Sequence, residues 1–194
     1  MKRFIGASLL CLTAAFSALA DLELHDFAPD IDAQASYAGK PLHYSLRQAR
    51  AKGPVVVYFY PTAFGRGCSV QARAFAEHYA EFTAAGASIV GVSLDGIERL
   101  NQFSADPNTC AGKFPVASDP DGKIANAYGL AVDQSTVGRL DSRGTVVDHG
   151  SIARTTFVVG ADGKVLGKVG DLKPAENVAK ALEIVKAAAA NARS

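Results

Sequence analysis

The chain has 194 residues, 48% of them hydrophobic, and its 20 Lys and Arg stand against 19 Asp and Glu for a formal net charge of +1. So even a balance supplies no basic field for nucleic acid or an anionic membrane as partner. No repeat, low-complexity linker or charge block divides the sequence, and the apolar content is sufficient for one core of ordinary size.

Met1 to Ala20 reads as a secretory signal peptide: Lys2 and Arg3, an apolar run from Phe4 to Leu19, then Ala18-Leu19-Ala20 as a small-residue cleavage site before Asp21. The run is short for a membrane span. Leu10 is not the small residue that a lipoprotein signal requires before its cysteine, so Cys11 is expected to leave with the leader. Loss of Lys2 and Arg3 takes the formal charge to −1. The expected product is an exported protein, in a bacterial periplasm, with residues 21–194 as one domain and no membrane attachment. Two cysteines remain, Cys68 and Cys110, and export to an oxidising compartment leaves a pairing between them open.

Leu22, Leu24 and Phe27 alternate as in a short strand, and turn residues at Ala38-Gly39-Lys40-Pro41 predict a hairpin. Tyr44 to Lys52 predicts a short helix ended by Gly53-Pro54. Val55 to Tyr60 is an unbroken apolar run stopped by Pro61, the pattern of a strand buried on both faces. A Gly-X-Gly loop follows, and from Cys68 the period changes. Phe75, Tyr79 and Phe82 fall at helical spacing, with Glu77 and Glu81 opposite. Cys68 therefore opens a helix at the end of a core strand. There the free N–H groups and positive dipole end of the first turn stabilise a thiolate, and Arg66 in the loop would add to the effect. The other use of such a cysteine is as a buried, inert packing residue.

Ser88 to Ser93 is a second apolar run, expected parallel to the first because a helix separates them. Asp95 and Glu98 form a plausible capping pair for a helix carrying Ile97, Leu100 and Phe103. An irregular loop from Ser104 to Lys113 holds Cys110. The segment Phe114-Pro115-Val116-Ala117-Ser118-Asp119 leads through the turn Asp119-Pro120-Asp121-Gly122 into a short helix, Lys123 to Tyr128, closed by Gly129. Val137 to Leu140 and Thr145 to Val147 flank Asp141-Ser142-Arg143-Gly144 as a hairpin. Ile152 to Val159, a turn at Asp162-Gly163 and Val165-Leu166 predict an antiparallel pair. Lys173-Pro174 opens a final helix with Val178, Leu182 and Val185 on one face. Alternating strands and helices predict an α/β fold.

The segment around Cys68 resembles the peroxiredoxins of the peroxiredoxin Q or bacterioferritin-comigratory-protein kind, in which a strand ending F-Y-P leads to P-x-x-x-T-x-x-C. Pro61 and Cys68 keep that spacing, and Phe114-Pro115-Val116-Ala117-Ser118-Asp119 is similar to the family's F-P-x-x-S-D. The resemblance runs over nearly the whole chain and implies a thioredoxin-like fold in its peroxiredoxin form, a central mixed sheet flanked by helices. It implies Cys68 as the peroxidatic cysteine and Arg154 as the arginine beside it, with Tyr60, Pro61 and Gly65 at the pocket. The reaction implied is thiol-dependent reduction of hydrogen peroxide or an organic hydroperoxide through a Cys68 sulfenic acid, with a thioredoxin-like protein or a small thiol as reductant and no cofactor.

The chain departs from the pattern in four ways. Gly65 stands in place of a threonine whose hydroxyl contacts thiolate and peroxide in the family, and Arg66 replaces a proline. Arg73 occupies the position of the resolving cysteine found in many members, which leaves Cys110 either to resolve the sulfenic acid or to form a static Cys68–Cys110 bridge. The region from Ala131 to Gly150 is several residues longer than the family pattern, and the sequence gives the excess no function.

The reading from another class is a non-catalytic thioredoxin-fold binding module held by that bridge. A disulfide oxidoreductase is disfavoured because Gln71 stands where a C-x-x-C pair needs its second cysteine, and a glutathione-peroxidase-like enzyme because the chain lacks tryptophan. His25, His43, His78 and His149 lack metal-site spacing, so no metal is expected.

Overall fold

The computed structural model describes residues 22–191; the predicted leader, with Cys11, lies outside them. In chain order the elements are β1 (Asp32–Tyr37), β2 (Lys40–Ser45), α1 (Leu46–Arg50), β3 (Val55–Phe59), α2 (Arg66–Glu77), α3 (Tyr79–Ala84), β4 (Ser88–Ser93) and α4 (Ile97–Ala105). They continue with β5 (Val116–Ser118), α5 (Lys123–Ala127), β6 (Val132–Asp133), β7 (Ser151–Ile152), β8 (Thr155–Val159), β9 (Val165–Val169) and α6 (Pro174–Asn191).

One seven-stranded mixed sheet runs in the order β2-β1-β5-β4-β3-β8-β9. Strand β3 sits near its middle, parallel to β4 and antiparallel to β8, so all five of its side chains are buried. Alternation then divides those side chains between two cores. Val56 and Tyr58 face α2, α4 and α6, while Val55, Val57 and Phe59 face α1 and α5. The first core holds both cysteines. Helix α2 buries Cys68, Gln71, Ala72 and Phe75, positions at i, i+3, i+4 and i+7 that make one stripe.

The parallel β3–β4 pair and the α5 turn form as the sequence predicts, with Asp119 accepting from the N–H groups of Ile124 and Ala125 at the start of α5; β5 adds a parallel strand that the sequence did not reveal, and the antiparallel partner of β9 starts at Thr155, Ile152 pairing instead with Val132. The predicted hairpin also forms as a small one, bridged at Leu140 and Val146. Four other expectations are corrected. Leu22 to Phe27 is not a strand: Phe27 alone bridges to Lys164, and Leu24 and Phe27 are exposed, because the alternation meets no second sheet face. The helix expected from Tyr44 begins at Leu46, since Tyr44 and Ser45 finish β2 and Ser45 Oγ caps the helix by accepting from Gln48 N. The helix from Cys68 to Phe82 is two helices broken at His78, and it starts at Arg66, which is therefore in the first turn rather than the loop. Asp95 caps nothing, for the N-cap of α4 is Gly96 with no side-chain bond.

Candidate active site

The loop from Tyr60 to Gly65 carries the chain from the end of β3 to α2, so Cys68 lies in the first turn of a twelve-residue helix. Its side chain is only 3% exposed, and Arg154, just ahead of β8, brings Nη2 to 3.6 Å from Cys68 Sγ. The approach depends on Gly67, where a Cβ would lie 3.1 Å from that same Nη2. A guanidinium at this range opposes an anion on sulfur with positive charge and N–H donors. Arg66, by contrast, is exposed, and the arginine at the sulfur is Arg154.

A buried polar chain that sequence reasoning missed fixes Arg154. Its Nη1 donates to Gln71 Oε1; Gln71 Nε2 donates to Asn177 Oδ1 at 3.0 Å. Asn177 in turn accepts from Thr156 Oγ1 at 2.6 Å and donates to Val169 O at 3.0 Å. Gln71 and Asn177 are both fully buried. The readable signal was a glutamine on the apolar stripe of α2, three residues from Cys68.

The second missed group is Asp95. Its carboxylate is wholly buried beneath the Cys68 loop and accepts from Ala63 N at 2.6 Å, Ser93 Oγ at 2.8 Å and Thr62 Oγ1 at 3.1 Å. Arg99 Nε stands 2.8 Å from Asp95 Oδ1, and His149 Nε2 stands 3.0 Å from the same oxygen. Because His149 Nδ1 faces Gly150 O at 2.6 Å, both ring nitrogens meet acceptors, an arrangement that favours the doubly protonated ring. Burial works against charge on both partners. The hydrogen bond and opposite charge of each more than offset it, so Asp95 is held below its usual range and His149 above it.

The 131–150 segment closes over the same loop. Ser142 donates to Phe64 O from both N (3.0 Å) and Oγ (2.6 Å), and Arg99 Nη2 bridges Ala63 O and Asp141 Oδ2 at 2.8 Å each. The Phe64 ring carries the Arg143 guanidinium 3.2 Å from its centroid and meets Phe103 edge-on at 5.1 Å. Phe64 has φ +58°, a left-handed conformation costing on the order of 1–3 kcal/mol, which these contacts hold in place.

Pro61 and Gly65 line a cavity of about 380 Å³ between this loop and the 131–150 segment. Tyr60 does not line it; the ring is in the core, stacked on Tyr58 at 5.3 Å and on Phe103 at 5.5 Å. A Cβ built on Gly65 would lie 3.1 Å from Cys68 Sγ, so the Gly65 backbone, which lines the cavity, stands between it and the sulfur, which does not. Cys110 is fully buried in the same core, and Cys68 and Cys110 are both free thiols. Burial pushes the Cys110 thiol far up, which keeps it protonated in place. Burial above all raises the phenols of Tyr58 and Tyr60, with the Asp95 carboxylate adding to it at Tyr60.

Comparison with known proteins identifies the family. The AhpC/TSA family model matches residues 24–167. A Mycobacterium tuberculosis (strain H37Rv) protein assigned as a peroxiredoxin is 36% identical over 126 residues, 65% of this chain and 73% of its own. Among solved structures, peroxidoxin BcpB of the same species superposes with a TM-score of 0.68 at 28% identity, covering 86% of this chain and 97% of that one. The bacterioferritin comigratory protein of Xanthomonas campestris, described by its alkyl peroxide reduction activity, does so at 0.64 and 30% identity, covering 87% and 98%.

Proposed function

The chain belongs to the AhpC/TSA family, and from that premise we propose that it is an exported thiol peroxidase in which Cys68 reduces hydrogen peroxide or an organic hydroperoxide. The observation that carries the reading is the guanidinium of Arg154 at 3.6 Å from Cys68 Sγ, in the first turn of α2.

Thiolate sulfur attacks one peroxide oxygen; an S–O bond forms as the O–O bond breaks, and the departing oxygen takes up a proton as water or alcohol. Arg154 holds the sulfur anion before attack and donates to the oxygen on which negative charge develops. The sulfenic acid on Cys68 then condenses with the Cys110 thiol, forming the disulfide and releasing water, and an external thiol reductant returns both cysteines to the reduced state. Cys68 and Cys110 are both buried and unbridged, so condensation calls for the first turn of α2 to open locally. Export rests on the leader pattern of Met1 to Ala20, which also argues for a periplasmic location.

Stopped-flow mixing of the reduced protein with hydrogen peroxide tests the reading. Thiol loss in the wild type should far outpace that of free cysteine and should vanish in Cys68→Ser; a Cys68→Ser variant that reacts as fast as wild type would remove Cys68 from the mechanism.

A further inference from the structure

The 131–150 segment, longer than the family pattern, does more than pin the Cys68 loop: with Gly65 and Arg66, the two positions at which the loop departs from that pattern, it encloses the 380 Å³ cavity. Its wall is apolar at Pro61, Leu140 and Val147, and Leu140 is 66% exposed at the mouth with nothing packed over it to account for an apolar residue there. The cavity also presents two guanidiniums, Arg66 and Arg139, neither in an ion pair among the described residues. Asp141, the one carboxylate on the lining, is already satisfied. It accepts from Arg143 N at 2.7 Å, Thr145 N at 2.9 Å and Arg99 Nη2 at 2.8 Å, with Arg143 Nε a further 3.6 Å away. The cavity is thus an apolar slot with two guanidiniums outside any ion pair, Asp133 acting on Arg139 only at longer range, and Gly65 on its lining lies beside the sulfur.

Resting on the peroxidase reading, we propose that this cavity is a substrate subsite for a carboxylate-bearing organic hydroperoxide, its apolar body along Pro61, Leu140 and Val147 and its carboxylate held by Arg66 and Arg139. Guanidiniums suit a carboxylate because two N–H groups can meet its two oxygens. Gly65, where even a Cβ would stand only 3.1 Å from Cys68 Sγ, brings the cavity wall up to the sulfur. The chemical step is unchanged: Cys68 takes one oxygen, and the remainder of the substrate leaves as the corresponding alcohol.

The probe is 4-(2-hydroperoxypropan-2-yl)benzoic acid, compared with cumene hydroperoxide, which differs only in lacking the carboxylate. Single-turnover oxidation of the reduced protein, followed by stopped flow at neutral pH and low salt, gives one second-order constant for each. The acid should react about tenfold faster than the neutral compound, the ratio should shrink with added salt, and it should fall to within about twofold of unity in the Arg66→Gln, Arg139→Gln double variant. Equal constants in the wild type, or a preference that survives in the double variant, would overturn the subsite. Hydrogen peroxide is run alongside: rapid Cys68 oxidation by it together with equal constants for the two organic probes defeats this inference alone, whereas no rapid oxidation by any of the three defeats the peroxidase reading and the subsite together.

Discussion

Arg154 is shared between two partners, Cys68 Sγ through Nη2 and Gln71 Oε1 through Nη1, so the residue that orients the guanidinium lies on the same helix, one turn beyond the sulfur. Removing the guanidinium leaves charge on sulfur and on the departing oxygen unopposed. Arg154→Gln should slow Cys68 oxidation by about 100-fold or more, comparable to losing a donor from a preorganised anion site. Gln71→Leu keeps Arg154 but frees it and strips Asn177 of a buried partner. It should cost about 1–3 kcal/mol of stability in urea unfolding and about tenfold in rate. A rate in Gln71→Leu equal to wild type would mean that the bond to Gln71 does not position Arg154.

Gly65 is the site's largest departure from the pattern its neighbours keep. Its φ of −62° and ψ of 138° are open to any L-residue, and the nearest atoms to a new Cβ, at 3.1–3.2 Å, are Cys68 Sγ and the methyl and carbonyl of Thr62. Gly65→Thr therefore sets a hydroxyl beside the sulfur at the cost of a shift of a few tenths of an ångström. A hydrogen bond to a charged group, about 1.5–3 kcal/mol, predicts about 10- to 100-fold faster oxidation by hydrogen peroxide. Gly65→Val brings the same crowding without the hydroxyl and should be slower than wild type. Pre-steady-state thiol loss in both variants makes the comparison.

The Asp95–His149 pair gives the fold a pH dependence with a defined sign. The raised pKa of His149 means that its contribution is complete below the unfolded value of about 6.5 and is lost as pH rises through the folded one. Asp95, lowered, contributes above its unfolded value of about 3.9 and loses that contribution on acidification. Between those limits the pair is at full strength. His149→Gln should lose more stability relative to wild type at pH 5.5 than at pH 9, measured by urea unfolding at both. A difference that is the same at the two pH values would show that His149 is not charged in the folded state.

Gly91 is where the sheet makes room for the Tyr58 ring. A Cβ there would stand 2.6 Å from Tyr58 Cζ and 2.7 Å from its hydroxyl. Gly91→Ala should destabilise by about 1–3 kcal/mol through overpacking. The paired change Gly91→Ala with Tyr58→Phe should recover part of it, because it removes the clash at oxygen. Thermal unfolding of the single and double variants is the check.

What the sequence made legible was local. Val55 to Phe59, the Cys68 helix start and the β8–β9 hairpin follow from period and turn chemistry within a few residues, and Arg154 follows from its motif. What it hid was the partnership of residues far apart. Asp95 looks like a cap because Glu98 stands three residues on, yet its partners Ala63 and His149 are 32 and 54 residues away, and burial lets them outcompete a local bond. Gln71 and Asn177 are 106 residues apart and meet only because α2 packs on α6. Leu24 and Phe27 mislead in the opposite sense: the alternation is present and the sheet face is not.

The most direct test of the central claim, that Cys68 is the sulfur that takes oxygen from peroxide and Cys110 the one that resolves it, is intact-mass analysis of the reduced protein after a pulse of one equivalent of hydrogen peroxide. The wild type should lose two hydrogens and carry one Cys68–Cys110 disulfide, Cys110→Ser should gain one oxygen on Cys68, and Cys68→Ser should be unchanged. Oxygen appearing on Cys110 in the Cys68→Ser variant, or a wild-type protein whose thiols survive the pulse like free cysteine, would contradict the account and leave a thioredoxin-fold binding module in its place.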